Sequence, residues 1–100
     1  PRSAKEAARA FSDVFNAKEI RQAALLIHPA RRDIFEENRT RERKRMKTWR
    51  LIRFTVGEAI MVRRGLPGNR VRFEYHDGRR TNTVDGSVVK VKEQWWIWHY

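Results

Sequence analysis

The chain has 100 residues, of which 40% are hydrophobic, 11% aromatic and 35% charged, with four Trp and no Cys. That length holds one domain with one core, and the aromatic content is too high for a disordered chain. The 23 Lys and Arg against 12 Asp and Glu give a net charge of +11, which attracts anions at long range, and the lack of Cys excludes disulfides, thiolate metal sites and a Cys nucleophile.

Ser3 and Glu6 stand at the spacing of a capping box, which starts a helix by satisfying its exposed backbone N–H groups. The spacing of Ala4, Ala7, Ala8, Phe11, Val14 and Phe15 predicts a helix over about 4–15 with one apolar stripe. A second helix over about 18–27 gathers Ile20, Ala23, Ala24 and Ile27. His28-Pro29 ends it and sets Pro29 at the first position of a third helix, with Ala30, Ile34 and Phe35 expected to point inward. The stretch EENRTRERKR at 36–45 has no apolar side chain, so it is expected to stay in solvent as a helical extension or a linker, with nothing buried.

After Lys47 the period changes to alternation. A long strand is expected over about 48–64, bulged and bent at Gly57, followed by a loop at 65–69. Val71, Phe73 and Tyr75 then alternate with Arg72, Glu74 and His76, and Asp77-Gly78 predicts a two-residue hairpin turn. That turn would set Phe73 opposite Asn82, Tyr75 opposite Arg80 and Val71 opposite Val84. Asp85-Gly86 is expected to bulge a continuous strand, and 95–100 forms the last one. Its register is open: a turn at Glu93-Gln94 faces Trp96 and Trp98 towards Val91 and Val89, whereas a longer turn brings Trp95 and Ile97 into the core.

The expected fold is thus a single α+β domain over 1–100, with helices in about 4–45 packed on a curved antiparallel meander in about 48–100. This order, together with Ile27-His28-Pro29, the bend at Gly57 and the terminal Lys92-Glu-Gln-Trp-Trp-Ile97, resembles the nuclear transport factor two-like superfamily, nearest to short domains attached to bacterial lipoproteins or envelope proteins. The resemblance implies a cone in which a sheet curls around N-terminal helices, and a location on the envelope or periplasmic side; without it a cytoplasmic location would be expected. No apolar run reaches the ~18 residues of a membrane span, and the first residues do not form a signal peptide.

Three constellations could carry function. The inferred inner face offers a ligand pocket of Trp49, Met61, Phe73, Tyr75, Arg80 and Asn82, an apolar lining with few polar groups; enzymes of the superfamily use Asp, His and Tyr there. No general base is evident among them, so no catalytic residue is expected. The three His share no metal-ligand spacing, and neither a metal nor a cofactor is expected. The run Arg39, Arg41, Arg43, Lys44, Arg45 and Lys47 could bind polyanions, weakly and without sequence preference, or serve only as a solvated face. Trp95, Trp96, Ile97, Trp98 and Tyr100 crowd both faces of one strand, and either register leaves large apolar side chains outside, as at an interface. The leading expectation is therefore a non-enzymatic module that binds a protein partner or forms a homodimer. The alternatives are a small-ligand cone with acid/base activity and a basic nucleic-acid-binding accessory protein.

Overall fold

The computed structural model describes all 100 residues. Four helices, α1 (Ala4–Asn16), α2 (Ile20–Leu26), α3 (Pro29–Glu37) and α4 (Arg39–Thr48), precede four strands, β1 (Arg50–Arg63), β2 (Leu66–His76), β3 (Thr81–Val91) and β4 (Gln94–His99). The strands form one antiparallel sheet in sequence order, and the helices pack on it as an α+β domain.

α1 begins as its sequence dictates: the Ser3 hydroxyl accepts the Glu6 N–H at 3.0 Å. The Glu6 carboxylate reaches back one residue further than a capping box requires, to the Arg2 N–H at 2.8 Å. Ala4, Ala7, Ala8, Phe11 and Phe15 are buried against the sheet. The helix ends where Lys18 takes φ +60°, a left-handed conformation unusual for a residue with a Cβ. The Lys18 side chain accounts for it, since Nζ donates to the carbonyls of Met46 and Lys47 at 3.0 and 2.9 Å and so caps the end of α4. This turn also delays α2 until Ile20, two residues later than the sequence predicts.

α2 stops at Leu26 because Ile27 turns extended and bridges Ile97 in parallel, and the His28 N–H donates to the Ile97 carbonyl at 2.9 Å. Pro29 opens α3, with His28 Nδ1 accepting the Ala30 N–H. Arg32 then folds back onto the end of α2, donating from Nε to the Ala24 carbonyl at 2.9 Å and from Nη2 to that of Ile27 at 3.0 Å. Of the three α3 residues expected to point inward, only Phe35 does; Ala30 is exposed and Ile34 is 47% exposed. The helix sits beyond the sheet edge and reaches the core with one side chain only, through the Phe35–Tyr100 contact at 6.3 Å.

The long bent β1 is present, and its register shifts between Val56 and Ala59, around Gly57. A second shift between Leu51 and Arg53 pushes Ile52 outward and brings both Leu51 and Phe54 to the helix side. The expected loop at 65–69 is corrected: only Arg64 and Gly65 turn, and β2 starts at Leu66 with Pro67 and Gly68 already paired to Met61 and Ile60. The expected two-residue hairpin is also corrected. Asp77 to Arg80 form a four-residue loop, which pairs Tyr75 with Asn82, Phe73 with Val84 and Val71 with Gly86. Asp77 sets this length, since its Oδ1 accepts the N–H groups of Arg79 and Arg80 and its Oδ2 accepts the Asn82 amide. The slip is two residues, so Val71, Phe73, Tyr75, Asn82 and Val84 keep their predicted face.

β3 runs without interruption through Asp85-Gly86; the irregularity lies one step on, between Ser87 and Val88, and only towards β4. The last turn is Lys92-Glu93, with Lys92 at φ +57°. It sets Ile97 opposite Val88 and Trp96 opposite Val89, so Trp95 and Ile97 face the core. Opposite the Ser87–Val88 step, β4 advances from Ile97 to His99, one residue more than its partner. This extra residue returns Tyr100 to the helix side, 4.9 Å from Phe11. The Ile27–His28 segment and the Pro1 carbonyl, which accepts the Trp95 N–H, cover the free edge of β4.

Candidate functional site

The expected ligand pocket does not assemble. Phe73 and Tyr75 are fully buried in the core and Trp49 packs on Tyr75 at 5.3 Å, but Met61 is 67% exposed, Arg80 is exposed and Asn82 is tied to Asp77. Met61 lies on the part of β1 that projects past the helices, and the four-residue loop carries Arg80 out of the sheet. The space between α1 and the sheet is filled by Phe11, Phe15, Phe73 and Tyr75.

The exposed aromatic interface is corrected as well. Ile97 is fully buried, Trp98 is 8% exposed, Trp95 and Tyr100 pack on the core, and Trp96 is half-buried. The chain covers its own rings: His28 lies 6.1 Å from Trp96 and 5.3 Å from Trp98, with Arg32 over Trp96 and Arg31 and Arg63 over Trp98. Arginine suits this role because its planar guanidinium stacks on an aromatic face.

The basic run forms α4, and part of it is buried, contrary to expectation. Glu42 and Met46, one turn apart, face inward. Arg45 follows them, its side chain only 18% exposed. Its guanidinium carbon is 4.6 Å from the ring centre of Tyr75, 5.0 Å from Trp49, 5.1 Å from Tyr100 and 5.9 Å from Phe15. Nη2 donates to the Tyr100 main-chain oxygen at 3.3 Å. Four rings thus replace water around one cation. Arg39 pairs with Glu36 at 3.4 Å, so Arg41, Arg43, Lys44 and Lys47 remain as the exposed cations of the run.

Beside this cluster a cleft of about 160 Å³ opens between α3, α4 and the end of β4. Ile27, Ile34, Phe35 and Trp98 give it an apolar wall; Arg31, Arg41 and Arg45 bring three guanidinium groups, and Glu42 one carboxylate. The Glu42 side chain is 9% exposed, and its two ion pairs, to Arg45 at 3.7 Å and Arg41 at 3.8 Å, are longer than hydrogen bonds. Its Oε2, Arg45 Nε, Arg39 Nε and the Tyr75 hydroxyl are buried without a hydrogen-bond partner. Native interiors hold few such atoms, and here four gather on or against one helix.

The titrating groups report the local field. Burial raises the pKa of Tyr75, with the Arg45 charge opposing and the Glu42 charge adding. Burial and then Glu42 raise that of Tyr100, so both hydroxyls stay protonated. His99, on the rim, is held below its ordinary value by burial and then by Arg31 and Arg45. Both signs of charge are felt in the cleft, Arg31 and Arg45 at His99 and Glu42 ahead of Arg45 at Tyr100.

The sequence reading missed Glu42 and His99, and it assigned Tyr100 to an exposed interface rather than to this cleft. The available signal was the four-residue step from Glu42 to Met46, which places a carboxylate on the same helix face as the only apolar residue of α4. Comparison of the chain with protein-family models, curated proteins and solved structures returns no match in any of the three.

Proposed function

We propose that this domain is a non-enzymatic binding module for a small organic anion, held in the cleft between α3, α4 and β4. The observation that carries the reading is the convergence of three guanidinium groups, from Arg31, Arg41 and Arg45, beside an apolar wall. An apolar lining with a few convergent polar groups is the usual make-up of a ligand site. Arginine matches a carboxylate bidentately. A cavity of about 150 Å³ accepts a ligand the size of benzene, so the volume here suits a compact molecule. Tyr100 stays protonated and the Glu42 carboxylate stands between two arginines, so neither is a free base, and His99 on the rim is the one neutral imidazole beside them.

The order of three short helices and a fourth before a meander supports placing the domain among the nuclear transport factor two-like cones. The partner-protein reading loses its motive, because the rings that would have formed the contact are covered by the chain's own His and Arg side chains. The outer face of β2 and β3 is polar, with Arg70, Arg72 and Glu74 facing Ser87, Asp85 and Thr83.

The test is a titration of isotope-labelled protein with short aliphatic carboxylates, followed by NMR. Saturable shifts confined to Trp98, His99, Tyr100 and the first turns of α4, weakened in Arg41→Gln, are expected. Absence of shifts at millimolar ligand, or shifts spread over all exposed arginines, overturns the reading.

A further inference from the structure

We propose that His99 makes capture of the anion in this cleft depend on a proton: the imidazole takes one up as the ligand binds, so affinity rises as pH falls. The inference rests on the binding reading above and names the regulation of that site. The end of β4 fixes where the ring stands. Trp98 on one side of it is buried, and Tyr100 on the other turns into the core against Phe11, while the His99 backbone pairs with Ser87 of β3. The exposed imidazole is left on the rim of the cleft, which it lines together with Arg31 and Arg41.

What surrounds this ring decides its charge. In the same cleft α3 contributes Arg31, and α4 contributes Arg41, Glu42 and Arg45. Tyr100 beside it stays protonated, and Ser87 opposite it on β3 is neutral. Glu42 is the only carboxylate, and it is already engaged by Arg41, Arg45 and the Tyr100 hydroxyl. Burial and then Arg31 and Arg45 hold His99 below its ordinary value. A ligand carboxylate held at the mouth by Arg31 and Arg41 brings a negative charge beside the ring and offsets that of Arg31, which favours the imidazolium. The effect is reciprocal: an anion that favours the proton is itself favoured, by the same factor, once the proton is on. No direct contact between ligand and imidazole is needed, only that both lie in the field of the same arginines.

The experiment titrates the intact chain with isobutyrate, and with methanesulfonate as an anion that stays ionised throughout, by calorimetry and by NMR at the His99 ring protons. Affinity is expected to tighten about tenfold between about pH 7.5 and about pH 5.5, with the His99 titration midpoint raised to match by saturating anion. His28, which does not line the cleft, should not respond to the ligand. His99→Gln is expected to abolish the tightening, with amide spectra at both pH values confirming that the variant is folded. The wild-type midpoint of His99 decides even if that variant fails to fold. Equal affinity at both pH values with an unmoved His99 overturns the proton coupling and leaves the anion site in place. Tightening that survives in His99→Gln assigns the proton to another group and overturns the coupling equally. Failure of both anions to bind at either pH overturns the anion reading together with this inference.

Discussion

The Arg45 guanidinium lies 4.6 Å from the ring centre of Tyr75, and the same residue lies 3.7 Å from Glu42. A cation from the most polar segment of the sequence thus forms part of the interior of the fold. Its desolvation is offset by aromatic faces and by one carboxylate, and this arrangement is sensitive to the loss of either charge. Arg45→Ala leaves Glu42 buried without its closest cation and is expected to destabilise the domain by about 3–5 kcal/mol. Arg45→Met with Glu42→Gln is expected to recover most of that loss, because an apolar chain of similar length suits the four rings. Urea unfolding of the single and double variants checks this; an Arg45→Ala change of under about 1 kcal/mol would show that the pair is solvated.

Asn16 closes α1 onto the sheet by mimicking a neighbouring strand. Its amide donates to the Leu51 carbonyl and its carbonyl accepts the Leu51 N–H, both at 2.8 Å. Asn16→Ala leaves two part-buried backbone groups unpaired at the β1 edge and is expected to cost about 1–3 kcal/mol. Asn16→Asp loses the donor and falls between the two. Amide exchange at Leu51 should quicken in both variants, and unchanged protection there would contradict the pairing.

Two glycines of the sheet should respond differently to a methyl group. A Cβ on Gly86 would run into the His99 carbonyl oxygen and approach the Phe73 ring to 2.8 Å, whereas one on Gly57 would meet nothing closer than Arg70 at 3.5 Å. Gly86→Ala is expected to lower stability by about 3 kcal/mol or more, at or above the upper end for overpacking. Gly57→Ala should change it by under about 1 kcal/mol. Thermal unfolding of the pair decides, and equal effects would be inconsistent with the close approach of β3 and β4.

Stability should fall on acidification in two separate windows. Burial followed by Arg32 lowers the pKa of His28, and burial followed by Arg31 and Arg45 lowers that of His99. In both, the unfolded state binds the proton more readily, so their contribution is present above 6.5 and is lost as pH falls below it. For His28 the reason is direct, since protonation turns Nδ1 from the acceptor of the Ala30 N–H into a donor. Asp77, held down to about 2 by the N–H groups of Arg80 and Arg79 and then by Asn82, contributes above 3.8 and loses its effect between there and about 2. Denaturation midpoints measured against pH should show both steps; His28→Gln with His99→Gln should remove the upper one alone.

Polyanion binding should be weaker than the net charge of +11 suggests. With Arg39 paired and Arg45 inside, α4 offers Arg41, Arg43, Lys44 and Lys47. Contact with about four phosphates predicts a drop of roughly a hundredfold between about 50 and 200 mM salt, without sequence preference. Fluorescence anisotropy on unrelated oligonucleotides tests it. Binding that persists at physiological salt and discriminates between sequences would make nucleic acid the partner.

Periodicity and punctuation by themselves determined the class of this fold: the apolar stripe of α1, the Pro29 boundary, the alternation of Val71, Phe73 and Tyr75, and the bulge near Gly57. These are local signals, because a helix or strand that must bury one face displays that face in its own spacing. The tertiary structure decided what depends on contact between distant segments. A two-residue change in loop length at Asp77 leaves the alternation of each strand unchanged, so only Asn82 and the neighbouring N–H groups reveal it. One extra residue in β4 turns Tyr100 inward after Ile97, which no single-strand pattern encodes. The burial of Glu42 and Arg45 was hidden for a related reason: a charged residue is polar in any sequence scale, and it becomes interior only when rings from α1, β2 and the chain end arrive to replace its water. The candidate site is made of those late arrivals.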